Sequence, residues 1–209
     1  LIGATGFVGS AVLDELLHRG HRVTVLARNP AKLAARERLA VVAADAQDAA
    51  QVAKAAAGHD AVVSAYNPGW SNPNIHDEFL KGTRAIIDGT KQAGVRRFLM
   101  VGGAGSLFVA PGVQLVDTPQ FPAEWKQGAL AAREALNWIR TESALDWTFL
   151  SPPILLQPGE RTGQYRLGDE APLMNGEQPG SISVADLAVA IADELETPRH
   201  VQKRFTVAN

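Results

Sequence analysis

Near the start of the chain, Gly3-Ala4-Thr5-Gly6-Phe7-Val8-Gly9 repeats glycine at every third position. Glycines at that spacing, between a strand and a helix, can seat a pyrophosphate. Gly3 permits a tight turn, Gly6 lets backbone N–H groups approach phosphate oxygens, and Gly9 lets the helix lie close to the sheet. Thr5, Phe7 and Val8 complete the cradle, and the helix N-terminus adds partial positive charge and unpaired donors. A helix that merely begins with glycines is the plainer reading, against which the strand-turn-helix surroundings argue. The predicted ligand is a dinucleotide.

Which dinucleotide depends on the end of the second strand, where an acidic residue would hold the ribose hydroxyls of NAD(H). Here the chain reads Ala27-Arg28-Asn29. A guanidinium at Arg28 can bind a 2′-phosphate through charge-assisted hydrogen bonds, with Lys32 in support, so NADP(H) is favoured over NAD(H). The plainer reading of Arg28 is an ordinary solvated surface residue. Asp45 follows the third strand and can meet the adenine edge, or simply make a turn. Ala65 and Tyr66, Gly103, and Pro153 follow three further strands, at the edge where open parallel sheets bind ligands, and are expected to frame the nicotinamide. Ordinary loop chemistry would explain them too.

The elements that must position these residues are legible from periodicity. Phe7, Val8, Val12, Leu13, Leu16 and Leu17 have helical spacing over Gly6 to Arg19, stopped by Gly20. Strands are expected at 21–27, 39–44, 61–65, 98–101, 147–150 and 204–207, with helices over 48–57, 75–93, 123–141 and 184–195. Leu1-Ile2 reads as the end of the central strand, so the natural chain is expected to begin a few residues earlier. Strands that are apolar throughout and alternate with helices indicate a parallel sheet covered on both faces. The expected fold is α/β: a Rossmann-type doubly wound parallel sheet with a small C-terminal substrate lobe. It is read as one domain over 1–209, with 103–122 and 152–183, both rich in glycine and proline, contributing the lobe. Short strands are expected within it near 164–167 and 181–183.

Composition narrows the chemistry. The chain has 209 residues, 46% of them hydrophobic, and no cysteine. Disulfides, thiolate nucleophiles and thiolate-bound metals are therefore excluded, and a reducing, cytoplasmic setting fits. Twenty Lys and Arg against 22 Asp and Glu leave a formal charge of -2, which favours neither nucleic acid nor anionic lipid as a partner. No apolar run approaches the ~20 residues of a spanning helix. The five histidines show no metal-ligand spacing.

Gly-Ala-Thr-Gly-Phe-Val-Gly, Leu-Ala-Arg-Asn-Pro, Val-Gly-Gly-Ala-Gly-Ser and Leu-Asp-Trp-Thr-Phe-Leu-Ser-Pro-Pro occur in this order and spacing. Together they resemble the atypical short-chain dehydrogenase/reductases, in the NAD(P)H-binding, NmrA-like branch that includes NADH-flavin reductases. The resemblance spans essentially the whole chain and implies hydride transfer from a bound nicotinamide. Standard members of the wider superfamily use a Tyr-x-x-x-Lys pair and a serine, the tyrosine giving a proton to a carbonyl oxygen. Neither Tyr66 nor Tyr165 is followed by lysine at that spacing. Ser106 sits where the serine would, and Lys126 falls in the place of the lysine or the tyrosine. These two are the candidate catalytic residues, orienting the acceptor.

The resulting expectation is an NAD(P)H-dependent oxidoreductase that passes hydride from NADPH to a flavin or quinone-like acceptor, flavin being a substrate rather than a tightly bound cofactor. The expected partner is that small molecule, with no nucleic acid and no membrane; a homodimer is a conceivable assembly. Trp70, Phe108, Phe121 and Trp125 could make a stacking platform or pack as core and lid, whereas Trp138 and Trp147 are assigned to the core. The competing reading is a non-catalytic NADP(H)-binding redox sensor. An epimerase or isomerase is disfavoured by the missing tyrosine-lysine pair.

Overall fold

The two halves of the central sheet meet on a two-residue stub. In the computed structural model, which describes residues 1–209, Ile2 bridges in parallel to Leu26 on one side and Ser64 on the other. The Leu26 N–H donates to the Leu1 carbonyl at 3.1 Å, the Ile2 N–H to Val63 O at 2.9 Å, and the Ala65 N–H to Ile2 O at 2.9 Å. Around this stub run β1 (Val23–Ala27), β2 (Leu39–Ala43), β3 (Ala61–Ser64), β4 (Arg97–Val101), β5 (Asp146–Ser151), β6 (Arg166–Gly168) and β7 (Lys203–Ala208). Their order across the sheet is β2-β1-stub-β3-β4-β5-β7-β6, parallel throughout except for β6, which runs antiparallel on β7.

Alternate strand residues bury on opposite faces, which is why the strands read as continuous apolar runs. Phe98, Met100, Trp147 and Phe149 join the cluster under α2 (Ala49–Ala56), α3 (Ile75–Gln92) and α4 (Ala123–Ile139). Leu99, Val101, Leu150 and Phe205 face α1 (Phe7–His18) and α5 (Val184–Glu196). On α1 the buried residues Gly9, Val12, Leu13 and Leu16 follow i, i+3, i+4, i+7 spacing, the inward stripe of a half-buried helix. The doubly wound α/β fold is as expected.

Several boundaries differ for identifiable reasons. His21 is not in the second strand, because its N–H closes the end of α1 on Leu16 O and the strand begins at Val23. The stretch 103–122 is not irregular throughout. It holds a hairpin of Phe108–Ala110 with Val113–Gln114 between two short 3-10 turns. The strand expected near 164–167 lies at Arg166–Gly168 and extends the main sheet. Leu155–Gln157 pairs in parallel with Ser181–Ser183. Trp147 is core, but Trp138 is only half-buried at its margin, with the Arg84 guanidinium 4.4 Å above its ring.

Charges strap the 152–183 segment onto the helices. Glu15, buried on α1, accepts from Arg161 at 2.6 and 2.9 Å and from Arg19 at 2.7 Å. The Arg161 hydrogen bond outweighs the burial that pushes the other way, and with Arg19 it holds the Glu15 carboxyl down at about 2. Asp186 on α5 accepts from the Thr162 and Gly163 N–H groups at 2.8 and 2.7 Å. Glu15→Gln should therefore cost about 2 kcal/mol near neutral pH, a figure discounted for the partly exposed Arg161. A depressed carboxyl contributes fully above its unfolded value of about 4.3 and loses that contribution as the pH falls through the folded value. In urea unfolding the two proteins should differ most near neutrality and converge as the pH approaches about 2. A gap of constant size across that range would contradict the assignment.

Candidate nucleotide site

The C-terminal ends of β1, β3, β4 and β5 open on one edge of the sheet, together with the turn that follows the stub. Gly3 has φ +84°, a left-handed conformation, and a side chain there would bring Cβ to 2.3 Å from Ala65 O. At Gly9 a Cβ would fall 2.1 Å from Gly3 O. Both glycines are thus required by close backbone approach, one against the end of β3 and the other where α1 leaves the turn. The Gly6 N–H closes the turn on Gly3 O at 3.0 Å. The open donors come next: no side chain caps α1, and the N–H groups of Phe7, Val8 and Gly9 have no acceptor in the chain. Thr5, Gly6 and Phe7 are exposed at this edge. Unpaired donors at the positive end of a helix, beside a turn with no side-chain bulk, fit a pyrophosphate.

Arg28 lies exposed just beyond β1 and makes no ion pair within the chain. It is close enough to Tyr66, as is Asp45, to act on the charge of its hydroxyl. Lys32, the proposed support, is exposed in the short turn after Pro30. Asp45 is largely committed to its own turn. Its Oδ1 accepts from the Gln47 N–H at 2.9 Å, and its own N–H donates to Gln51 Oε1 at 2.9 Å.

Tyr66 turns away from the open edge into α3. Its hydroxyl accepts from Gln47 Nε2 at 3.0 Å and donates to Glu78 O at 3.2 Å, and its ring occupies the space where a Cβ on Gly82 would sit, 2.3 Å from the ring edge. Burial, the largest influence, pushes the Tyr66 hydroxyl up. The other tyrosine, Tyr165, bonds Asp193 on α5, and burial and that carboxylate push it up as well. With only two tyrosines in the chain, both hydroxyls are occupied.

Gly103 starts the 3-10 turn Ala104–Ser106, and Pro153 is buried just after β5. Ser106 does not face the cleft freely. It is 2% exposed, and its Oγ accepts from Arg204 Nη1 of β7 at 3.0 Å. Arg204 also binds Glu170, which takes two bonds of 2.9 Å from Arg140 and accepts the Phe108 N–H on its carbonyl at 2.8 Å. Lys126 stands exposed on the first turns of α4. The structure therefore separates the two candidate catalytic residues, one buried in an ion-pair network and one in solvent.

Glu170 and Arg204 were not visible in the sequence, because a pair 34 residues apart has no local signature. Gly82 and Gly128, glycines within helices, carried a readable signal of close approach. A groove lined by Leu1, Arg22, Thr24, Arg38 and His59 lies at the opposite sheet edge, away from the cradle, where β1 and β3 flank the stub. No helix is long and apolar enough to cross a membrane.

A family model described as NAD(P)H-binding matches residues 3–198. The uncharacterised Bacillus subtilis protein YwnB is 39% identical, the alignment covering 100% of this chain and 97% of that one. A candidate epimerase from Bacteroides thetaiotaomicron shares 47% identity and a TM-score of 0.92, covering 99% of this chain and 94% of its own. A candidate NADH-flavin reductase from Streptococcus pneumoniae is 34% identical, with a TM-score of 0.86 over 100% and 97% of the two chains.

Gly9→Ala should force α1 off the turn at a cost of about 2–3 kcal/mol. For a chain of this size that is on the order of 8 °C in Tm. A thermal melt unchanged from the parent would show that the close approach is not required.

Proposed function

The chain belongs to the NAD(P)H-binding family, and from that premise we propose that it is a reductase that uses NADPH and serves a flavin or quinone-like acceptor. Gly3, Thr5, Gly6, Phe7, Val8 and Gly9 hold the pyrophosphate, the open N–H groups of residues 7–9 being the donors. Arg28 binds the 2′-phosphate, and Asp45 steadies the adenine-side turn. Ala65, Gly103 and Pro153 border the nicotinamide, with Tyr66 acting from behind as the pin that fixes the β3 loop on α3. The segments 103–122 and 152–183 form the acceptor side of the cleft. A cysteine-free chain suits a reducing cytoplasm.

The observation that carries the acceptor class is the engagement of both tyrosines. Tyr66 donates to a backbone carbonyl and Tyr165 to Asp193, so neither supplies a proton to a carbonyl substrate. When bound, the reduced nicotinamide supplies a hydride, two electrons and one proton nucleus. An acceptor that takes the hydride into a conjugated ring system needs only one further proton, which water delivers. The chain's own task is then to orient two flat molecules and exclude competing geometries. Ser106 contributes by fixing the 3-10 turn after Gly103, and Lys126 by lending positive charge to the rim of the cleft.

The candidate flavin reductase among the relatives supports this reading. The candidate epimerase supports the same fold and cofactor with a different outcome, one that would call for a proton donor and acceptor at the reacting carbon. A sensor that binds NADPH without turnover is the alternative that the missing acid would also suit.

Mixed with NADPH and riboflavin or a simple quinone, the protein should oxidise the nicotinamide, and Tyr66→Phe and Tyr165→Phe should retain that turnover. Tight NADPH binding without oxidation across flavins, quinones and carbonyls would overturn the reductase reading and favour the sensor. Arg28→Ala should weaken NADPH about ten-fold or more while changing NADH by less than about two-fold. Equal losses for both would remove Arg28 from the phosphate site.

A further inference from the structure

Two large aromatic side chains are left in solvent beside this edge. Trp70, in the loop between β3 and α3, is 57% exposed, and Trp125, on the first turn of α4, is 52% exposed. Trp70 is nevertheless held in place. A Cβ added to Gly128 of α4 would come within 2.6 Å of the Trp70 ring and 3.0 Å of Ile75 Cδ1, so the ring lies directly on a helix surface that has no side chain. Gly128 is three residues after Trp125, which puts both on neighbouring turns of one helix face.

The position of this ring follows from a chain of contacts. Gly3 abuts Ala65 at the end of β3, and the loop from Ala65 leads to Trp70. Trp70 rests on Gly128. The next residue, Ala129, lies against Gly105, and Ala132 lies 3.6 Å from where a Gly103 Cβ would be, both in the turn that follows β4. These contacts link the Gly3 turn, the end of β3, α4 and the turn after β4 in one series. The distal ring atoms Cζ3 and Cη2 of Trp70 rest on Gly128, and the rest of the indole is largely in solvent.

We infer that Trp70, seated on Gly128, is a specificity-determining residue that stacks on a planar conjugated acceptor and disfavours small aliphatic carbonyl compounds. The inference rests on the reductase reading for its site. Aromatic stacking is worth on the order of 1 kcal/mol in excess of area burial, enough to shift acceptor preference several-fold while leaving the nucleotide untouched. Gly128 is the second determinant, because any side chain there lifts the indole off the helix.

The test uses the full-length protein with riboflavin as probe. Trp70→Ala should raise the riboflavin KM about ten-fold, with kcat and the NADPH dissociation constant within about two-fold of the parent. Trp70→Phe should restore most of the loss, and Gly128→Ala should reproduce it although alanine is the better helix former. In parallel, quenching of tryptophan fluorescence by riboflavin is measured in the NADP⁺ complex, where no turnover is needed. The quench should weaken in Trp70→Ala and Gly128→Ala by the same factor as KM. If the parent protein quenches through Trp70 but oxidises no NADPH, the reductase reading fails and the stacking site stands. If riboflavin binding and KM are unchanged in Trp70→Ala, or NADPH binding falls in step with them, the stacking assignment is overturned.

Discussion

A single carbonyl oxygen sets the geometry of the nucleotide edge. Gly3 O lies so close to Gly9 that no Cβ fits between them, while Gly3 itself is pressed against Ala65 O. These two approaches join the phosphate turn, the first helix and the end of β3 into one rigid corner. The hydrogen bonds of the stub supply the other half of the corner, since Leu1 and Ile2 are the only segment paired to both β1 and β3. Close backbone packing thus coincides with the unpaired donors at the start of α1, and the two facts are connected: a donor is useful to a ligand only if its own backbone does not move to find another partner.

The segment 103–122 and the residues around Glu170 are held differently, by charge rather than by close backbone contact. Arg204 has no exposed side-chain surface and reaches both Ser106 and Glu170, while Glu170 gathers Arg140 and Phe108. A buried guanidinium is costly to desolvate and must be paired, so this cluster enforces one arrangement of the hairpin and the lobe even where its net contribution to stability is small. Arg133 adds a second tether, binding Asp117 at 2.8 Å and Gln114 at 3.1 Å from α4. The hairpin is therefore fixed at both its ends.

What could be read from the residues follows the distance over which each interaction acts. The glycine spacing, the strand runs and the helix stripes are local, and the glycine turn into α1 and the doubly wound sheet emerged where Gly3 to Gly9 and the apolar strands implied. Tyr66 was legible as a residue at the right edge but not in its orientation, because the partners that turn it inward, Gln47 and Glu78, belong to other elements. Ser106 was placed in the correct turn, yet its burial depends on Arg204, 98 residues later. Trp70 was read as a loop aromatic, open between a stacking platform and core or lid packing, and the missing piece was a helical glycine far along the chain that receives it.

The antiparallel strand β6 pairs only with β7, and β7 is the last element of the chain. Residues 166–168 consequently have no sheet partner until 203–208 have been inserted beside β5, and Glu170 has no Arg204 to meet. The corner made by Leu1-Ile2, the Gly3 turn and β3, by contrast, draws its contacts, covering helices aside, from residues up to 65. The two sides of the open edge therefore depend on segments far apart in the sequence. The Gly3 corner does not wait on β7 for its contacts, whereas the Glu170–Arg204 pair does.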